Sequence, residues 1–129
     1  MMILKRFEEF LREGIVRKQQ PNIERAESLL KETEDKKQFL EDSIKIIPVG
    51  KMYPNFIVDS CYDILIETLR AIMFIEGFNS GTSHEAEVSY LRILGFEEYE
   101  VRFMNELRYR KLRSLCHIYF AVFYLYNCD

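Results

Sequence analysis

The chain has 129 residues, 48% of them hydrophobic, so it is long and apolar enough to close a folded domain rather than stay disordered. Its 18 basic and 21 acidic residues leave a net charge of −3, which excludes a sequence-blind nucleic-acid coat working through overall positive charge. Any contact with nucleic acid must come from a local basic patch.

Five helices are expected, in one domain covering residues 1–129. Residues 1–20 supply a short N-terminal helix and a connector, and residues 21–129 the bundle core. The first helix is predicted over about residues 3–13 and ended by Gly14. A polar connector runs to Pro21. Asn22 then has the chemistry of an N-cap for a long helix with Ile23, Ala26, Leu29 and Leu30 on its apolar face. The middle of that helix, residues 31–38, has only Thr33 between charged or amide side chains and reads as a solvated face.

Residues 48–54, bounded by Pro48 and Pro54, are a loop. Asn55 is placed to cap a third helix that runs to Glu76 and stops at Gly77. Val58, Cys61, Leu65, Leu69 and Ile72 form one apolar face, widened by Ile57, Ile64 and Ile75, as in a central buried helix. Asp59, Asp63, Glu67 and Arg70 make a narrow polar stripe on it. Asn79-Ser-Gly81 is a turn. Thr82-Ser-His-Glu85 has capping-box spacing, so a fourth helix is predicted over about residues 83–94, ended by Gly95.

The fifth helix starts near Glu97 and carries the most informative stretch, Glu106-Leu-Arg-Tyr-Arg-Lys-Leu-Arg-Ser-Leu-Cys-His-Ile-Tyr119. At helical periodicity Glu106, Arg110, Arg113 and His117 fall within about 60° of one another. Met104, Leu112, Leu115, Tyr119 and Val122 fall on the opposite side. Guanidinium groups grip phosphate as a fork, and imidazole moves protons near neutral pH, so the stripe is suited to an RNA backbone. The same pattern also describes an ordinary solvated helix face. Asp63 and Glu67 on the third helix could orient Arg110 and Arg113, or form a plain salt-bridge layer with them. Arg108 projects near the middle of the apolar face and must snorkel or mark a kink. His84, in the first turn of the fourth helix, reads as a capping or packing residue rather than a catalyst. The tail after residue 118 is β-prone by composition, but nothing is available to pair with it, so helix is the expectation. Its apolar character, with Phe103, Phe120 and Tyr124 bordering the stripe, points to a subunit interface and hence a homodimer.

Other chemistry is missing. The three cysteines, Cys61, Cys116 and Cys128, have no CxxC spacing and read as reduced thiols, and the two histidines stand 33 positions apart, which does not suit zinc. No phosphate-loop, dinucleotide or nucleophile-elbow motif occurs, and no metal or cofactor is expected. The N-terminal stretch lacks a signal-peptide pattern, and the longest nearly apolar run, residues 115–126, is too short to span a bilayer. A cytoplasmic location is therefore expected.

Three stretches resemble the HEPN family (higher eukaryote and prokaryote nucleotide-binding domains), in its archaeal form. They are Phe10-Leu-Arg-Glu-Gly-Ile-Val-Arg-Lys-Gln-Gln-Pro-Asn22, Tyr62-Asp-Ile-Leu-Ile-Glu-Thr-Leu-Arg-Ala-Ile-Met-Phe-Ile-Glu-Gly-Phe78 running into Thr82-Ser-His-Glu85, and Leu107-Arg-Tyr-Arg-Lys-Leu-Arg-Ser-Leu-Cys-His117. The resemblance implies an all-α up-and-down bundle that dimerises. It also implies a metal-independent RNase, often a toxin paired with a small nucleotidyltransferase antitoxin, whose signature is Arg, usually followed by Asn, then four to six residues and His. Arg110 and His117 are separated by six residues, the outer limit of that spacing, whereas Arg113 stands only four positions before His117. Arg113 is followed by Ser114, where the family usually has Asn. Two expectations result. In one, Arg110 and Arg113 hold phosphate, His117 assists attack by the 2′-hydroxyl, and Asp63, Glu67 and Ser114 shape the site. In the other, the same cleft binds a nucleotide or a partner protein without chemistry.

Overall fold

The structure is a computed structural model that describes residues 3–47 and 54–109. Within these residues five helices and two very short strands follow in the order α1 (Phe7–Arg12), β1 (Arg17–Lys18), α2 (Ile23–Ile46), α3 (Pro54–Glu76), β2 (Phe78–Asn79), α4 (His84–Ile93) and α5 (Glu98–Tyr109). The expected all-α architecture of about five packed helices is present. None of the described helices is long and apolar enough to cross a membrane.

The long helix α2 starts where its sequence says it should. The Asn22 side chain accepts the backbone N–H of Arg25 at 3.1 Å and satisfies one orphan donor of the first turn. At α3 the expectation moves: the described helix already includes Pro54, so Asn55 lies inside it instead of preceding it. The start of α4 shifts as well. Ser83 is the cap, its hydroxyl accepting from the Ala86 N–H at 3.2 Å. The box read as Thr82 with Glu85 is therefore one residue out of register, and Glu85 is left to bond elsewhere.

Helix α3 is central, as its nearly continuous apolar circumference predicts. It packs along α2 and also contacts α4, β2 and α5. Ala26 on α2 and Ala71 on α3 are both fully buried beside Phe74, with Leu29 and Leu30 closing over them. Small residues at this crossing let the two helices approach closely. The main core gathers Phe7, Phe10, Val16, Leu40, Val58, Ile66, Met73, Val88 and Val101. Phe7 packs edge-on against both Phe78, at 5.1 Å between ring centroids, and Tyr90, at 4.9 Å. Such pairs contribute about 0.5–1.5 kcal/mol beyond their buried area, and here they clamp α1, β2 and α4 together.

The strand pair was not expected from the sequence. Arg17 pairs with Asn79 and Lys18 with Phe78, antiparallel. It forms because Gly77 takes a φ of +85° and reverses the chain after α3. The connector then runs alongside, with Gln19 N–H donating to the Gly77 carbonyl at 2.8 Å and Asn22 N–H to the Phe74 carbonyl at 2.9 Å. The polar connector is thus stitched to the end of α3.

Candidate functional site

The polar stripe of α3 does not face a single neighbour. Successive members point to different helices, because the stripe lies on a helix buried on several sides. Glu67 turns to α2, where it accepts from Lys36 Nζ at 2.5 Å and from the Thr33 hydroxyl at 3.4 Å. Thr33 is only 6% exposed, so the interval between charges in the α2 stripe marks a contact rather than a solvated position. Asp63 is exposed and makes no hydrogen bond or ion pair among the described residues. Arg70 turns to α4.

That last contact organises the site. Glu87, on α4, has a fully buried side chain, 0% exposed. Arg70 donates to it twice, Nε to Oε2 at 2.6 Å and Nη2 to Oε1 at 3.2 Å. The Ser80 hydroxyl donates to Oε2 at 2.8 Å, and His84 Nδ1 lies 2.8 Å from Oε1. Each carboxylate oxygen therefore has two partners, which is the full capacity of an ionised carboxylate. Because Glu87 only accepts, His84 carries a proton on Nδ1 and its other nitrogen, Nε2, remains for other partners. The hydrogen bond to Glu87 is the main cause that raises the Arg70 pKa, followed by the opposing effect of burial and the attraction of the same charge.

The local chain path follows from three turn features. Asn79 accepts the Gly81 N–H at 2.8 Å, Ser83 N–H donates to the Ser80 carbonyl at 3.0 Å, and Ser83 starts α4. One turn later Glu87 points back over the turn. Glu85 and Arg108 bond at 2.9 Å, and Arg108 also reaches the Asn105 side chain at 3.4 Å, so α5 is tied to the first turn of α4. Arg108 is thus neither stranded on the apolar face nor a kink marker; it crosses to a carboxylate on the neighbouring helix. Tyr62 packs edge-on against the His84 ring at 6.4 Å. Its hydroxyl is buried without a hydrogen-bond partner among the described residues, and burial pushes its pKa up to about 12.

Above this cluster lies an open cleft of about 520 Å³. Gln19 and Asn22 come from the connector, Arg25 from α2, Arg70 and Phe74 from α3, and Asn79, Gly81, Thr82 and His84 from β2, the turn and α4. The Arg25 guanidinium lies 5.3 Å from the centre of the Phe74 ring, a cation–π contact. Among the described residues Arg25 makes no ion pair, and no carboxylate lines the cleft. The arrangement is suited to hold an anion and hydroxyl-bearing groups. No cluster of His, Cys, Asp and Glu able to hold a metal occurs among the described residues.

Of the residues singled out by the sequence, Arg110, Arg113, Ser114 and His117 lie outside the described residues, as do Cys116, Cys128, Phe120 and Tyr124. Asp63 and Glu67 are described, and Glu67 has its partners on α2. The residues that build the cleft were not expected as a group. Glu87 carried one legible signal: it interrupts the helical face of Ala86, Tyr90 and Leu91, and a carboxylate on a buried face needs a cation. Arg25 carried none, because its neighbours across the cleft are brought in only by the connector and α3. Comparison with protein-family models, with curated protein sequences and with solved structures found no match to this chain.

Proposed function

We propose that this chain is an HEPN-like domain that acts on RNA in the cytoplasm as a homodimer, in the manner of the RNase toxins paired with a nucleotidyltransferase. The observation that supports the reading is the Arg108–Glu85 bond of 2.9 Å. It ties the last described turn of α5 to the first turn of α4, two residues before Arg110, where the Arg110, Arg113 and His117 series begins in the sequence. A phosphate-gripping series gains most from a rigid start, since positioning supplies much of the rate in general acid–base chemistry. In this mechanism Arg110 and Arg113 hold the phosphate and His117 takes the proton of the attacking 2′-hydroxyl.

The test is incubation of the purified protein with labelled single-stranded RNA and DNA in chelator. RNA cut to 2′,3′-cyclic phosphate ends, DNA left whole, and His117→Ala inactive is the expected result. RNA that stays whole, and stays whole with Ser114→Asn, overturns catalysis. A second reading, a binding module without chemistry, is favoured by Ser114 standing after Arg113 in place of Asn. It expects RNA or a nucleotide to be retained but not cut. A monomer near 15.5 kDa by light scattering would reject the dimer in either case.

A further inference from the structure

We infer that the cleft between the connector, α3 and α4 is a binding site for the phosphate of a small phosphorylated ligand with a polar, hydroxyl-bearing body, of the sugar-phosphate class. The site rests on described residues alone. Its charge is deliberate in the physical sense: a chain of net charge −3 sets two guanidinium groups and an imidazole around one cavity of about 520 Å³, with no carboxylate among the described lining residues. That volume falls within the roughly 300–1,000 Å³ usual for small-molecule sites.

The two arginines have different duties. Arg70 is neutralised and immobilised by Glu87, whose bonds engage Nε and Nη2, leaving Nη1 as a donor of fixed position. Glu87 itself is 0% exposed with both oxygens occupied, so it holds the donors in place without presenting its charge at the surface. Arg25 has no carboxylate among the described residues, and the Phe74 ring under its plane restrains it. A guanidinium resting on an aromatic face keeps its N–H edge available, and that edge matches a phosphate in a two-bond fork. The ligand body is defined by what remains. Asn79 has its oxygen on the Gly81 N–H and its nitrogen 3.3 Å from Gln19 Oε1, while Asn22 has its oxygen on Arg25 N. The amide N–H groups of Gln19 and Asn22 are left as donors, and the two ring faces in the described lining are Phe74, already covered by Arg25, and the His84 imidazole, which Tyr62 meets edge-on. Hydroxyl groups suit this lining better than a flat base. The capped first turns of α2 and α4 both border the cleft and add to its positive potential.

The experiment is titration of the full chain with inorganic phosphate, followed by calorimetry and phosphorus NMR line broadening, in wild type and Arg25→Gln. Arg25 is exposed and outside the core, so the variant should fold, which circular dichroism checks. Saturable binding in wild type that weakens about tenfold in Arg25→Gln supports the site. Ribose 5-phosphate binding more tightly than phosphate identifies a free small ester as the source. Displacement by a 5′-phosphorylated RNA oligomer, with no displacement by its 5′-hydroxyl counterpart, identifies an RNA terminus instead and overturns the small-ligand assignment while keeping the phosphate site. Absence of saturable phosphate binding in wild type, or equal binding by a folded Arg25→Gln, overturns the inference altogether.

Discussion

Arg70 on α3 and Glu87 on α4 meet in a two-bond fork, at 2.6 and 3.2 Å, around a carboxylate with no solvent exposure. Removing one partner of such a pair strands the other without water. Arg70→Ala is expected to lower unfolding stability by about 3–5 kcal/mol, since Glu87 would keep only Ser80 and His84. Replacing both residues by alanine should cost less than the sum of the single changes, because the stranded charge disappears. Urea denaturation of the four proteins of this cycle measures the coupling, and strict additivity would show that the pair does not act as a unit.

Gly77 should be far less tolerant of change than Gly14. Both have positive φ, +85° and +76°, so alanine costs about 1–2 kcal/mol at either. At Gly77, however, an added Cβ would lie 2.7 Å from the Gln19 carbonyl oxygen, a backbone atom that cannot step aside without opening the strand pair. At Gly14 nothing lies within 4 Å. Gly77→Ala is expected to cost clearly more than Gly14→Ala in thermal denaturation, and to disturb the cleft that the connector borders. Equal losses would contradict the packing of the connector on α3.

Glu67 faces α2, and its removal should be mild. The Lys36 side chain is 44% exposed, so Glu67→Gln is expected to cost under about 1 kcal/mol, an effect that salt screens further. Thr33→Val keeps the shape but loses the hydroxyl bond to the Leu29 carbonyl at 2.8 Å and the longer one to Glu67, for about 1 kcal/mol. If Glu67→Gln instead destabilised the fold by several kcal/mol, Glu67 would have to have a structural role larger than its contacts with α2.

Arg92 holds three parts of the chain at once. Its guanidinium donates to the Leu4 and Lys5 carbonyls at 3.1 and 2.8 Å and to both oxygens of Glu98 at 2.9 and 2.7 Å. Arg92→Ala is expected to lose about 1.5–3 kcal/mol and to speed amide exchange near the start of α1. The Glu98 part depends on pH. The Arg92 hydrogen bond holds the Glu98 carboxyl below its ordinary range, so its stabilisation is complete above the unfolded-state value and is lost as pH falls through the lower folded-state value. The difference between wild type and Arg92→Ala should therefore narrow in acid, leaving the share due to the two backbone carbonyls. A gap that widens in acid would exclude this origin.

Cys61 should be inert while the protein is folded. Burial in α3 pushes its thiol up to about 12, so almost no thiolate forms at neutral pH. Iodoacetamide treatment of native protein, followed by mass spectrometry of the peptide carrying Cys61, is expected to show slow labelling that becomes rapid in denaturant. Fast native labelling would mean that the α3 face opens easily.

Much of the helical architecture is legible without a structure, because its causes are local. The apolar circumference of α3 makes it central, Asn22 can cap because its side chain reaches its own first turn, and glycine at 77 and 95 ends helices through its backbone freedom. Positions within a turn are less secure: Ser83 rather than Thr82 caps α4, since neighbouring hydroxyls offer nearly equal local chemistry and packing selects between them. The cleft belongs to another class of information. Arg25, Arg70 and Glu87 are separated by 45 and 17 positions, and nothing within either interval ties them together. Their meeting depends on the turn at Gly77, the connector bonded to the end of α3, and the distance at which Ala26 and Ala71 let α2 approach α3. Local periodicity sets which face of a helix is polar. Only the packing of helices on one another selects which neighbour each polar side chain meets, and so Glu67 turns to α2 while Arg70, less than one turn further on, turns to α4.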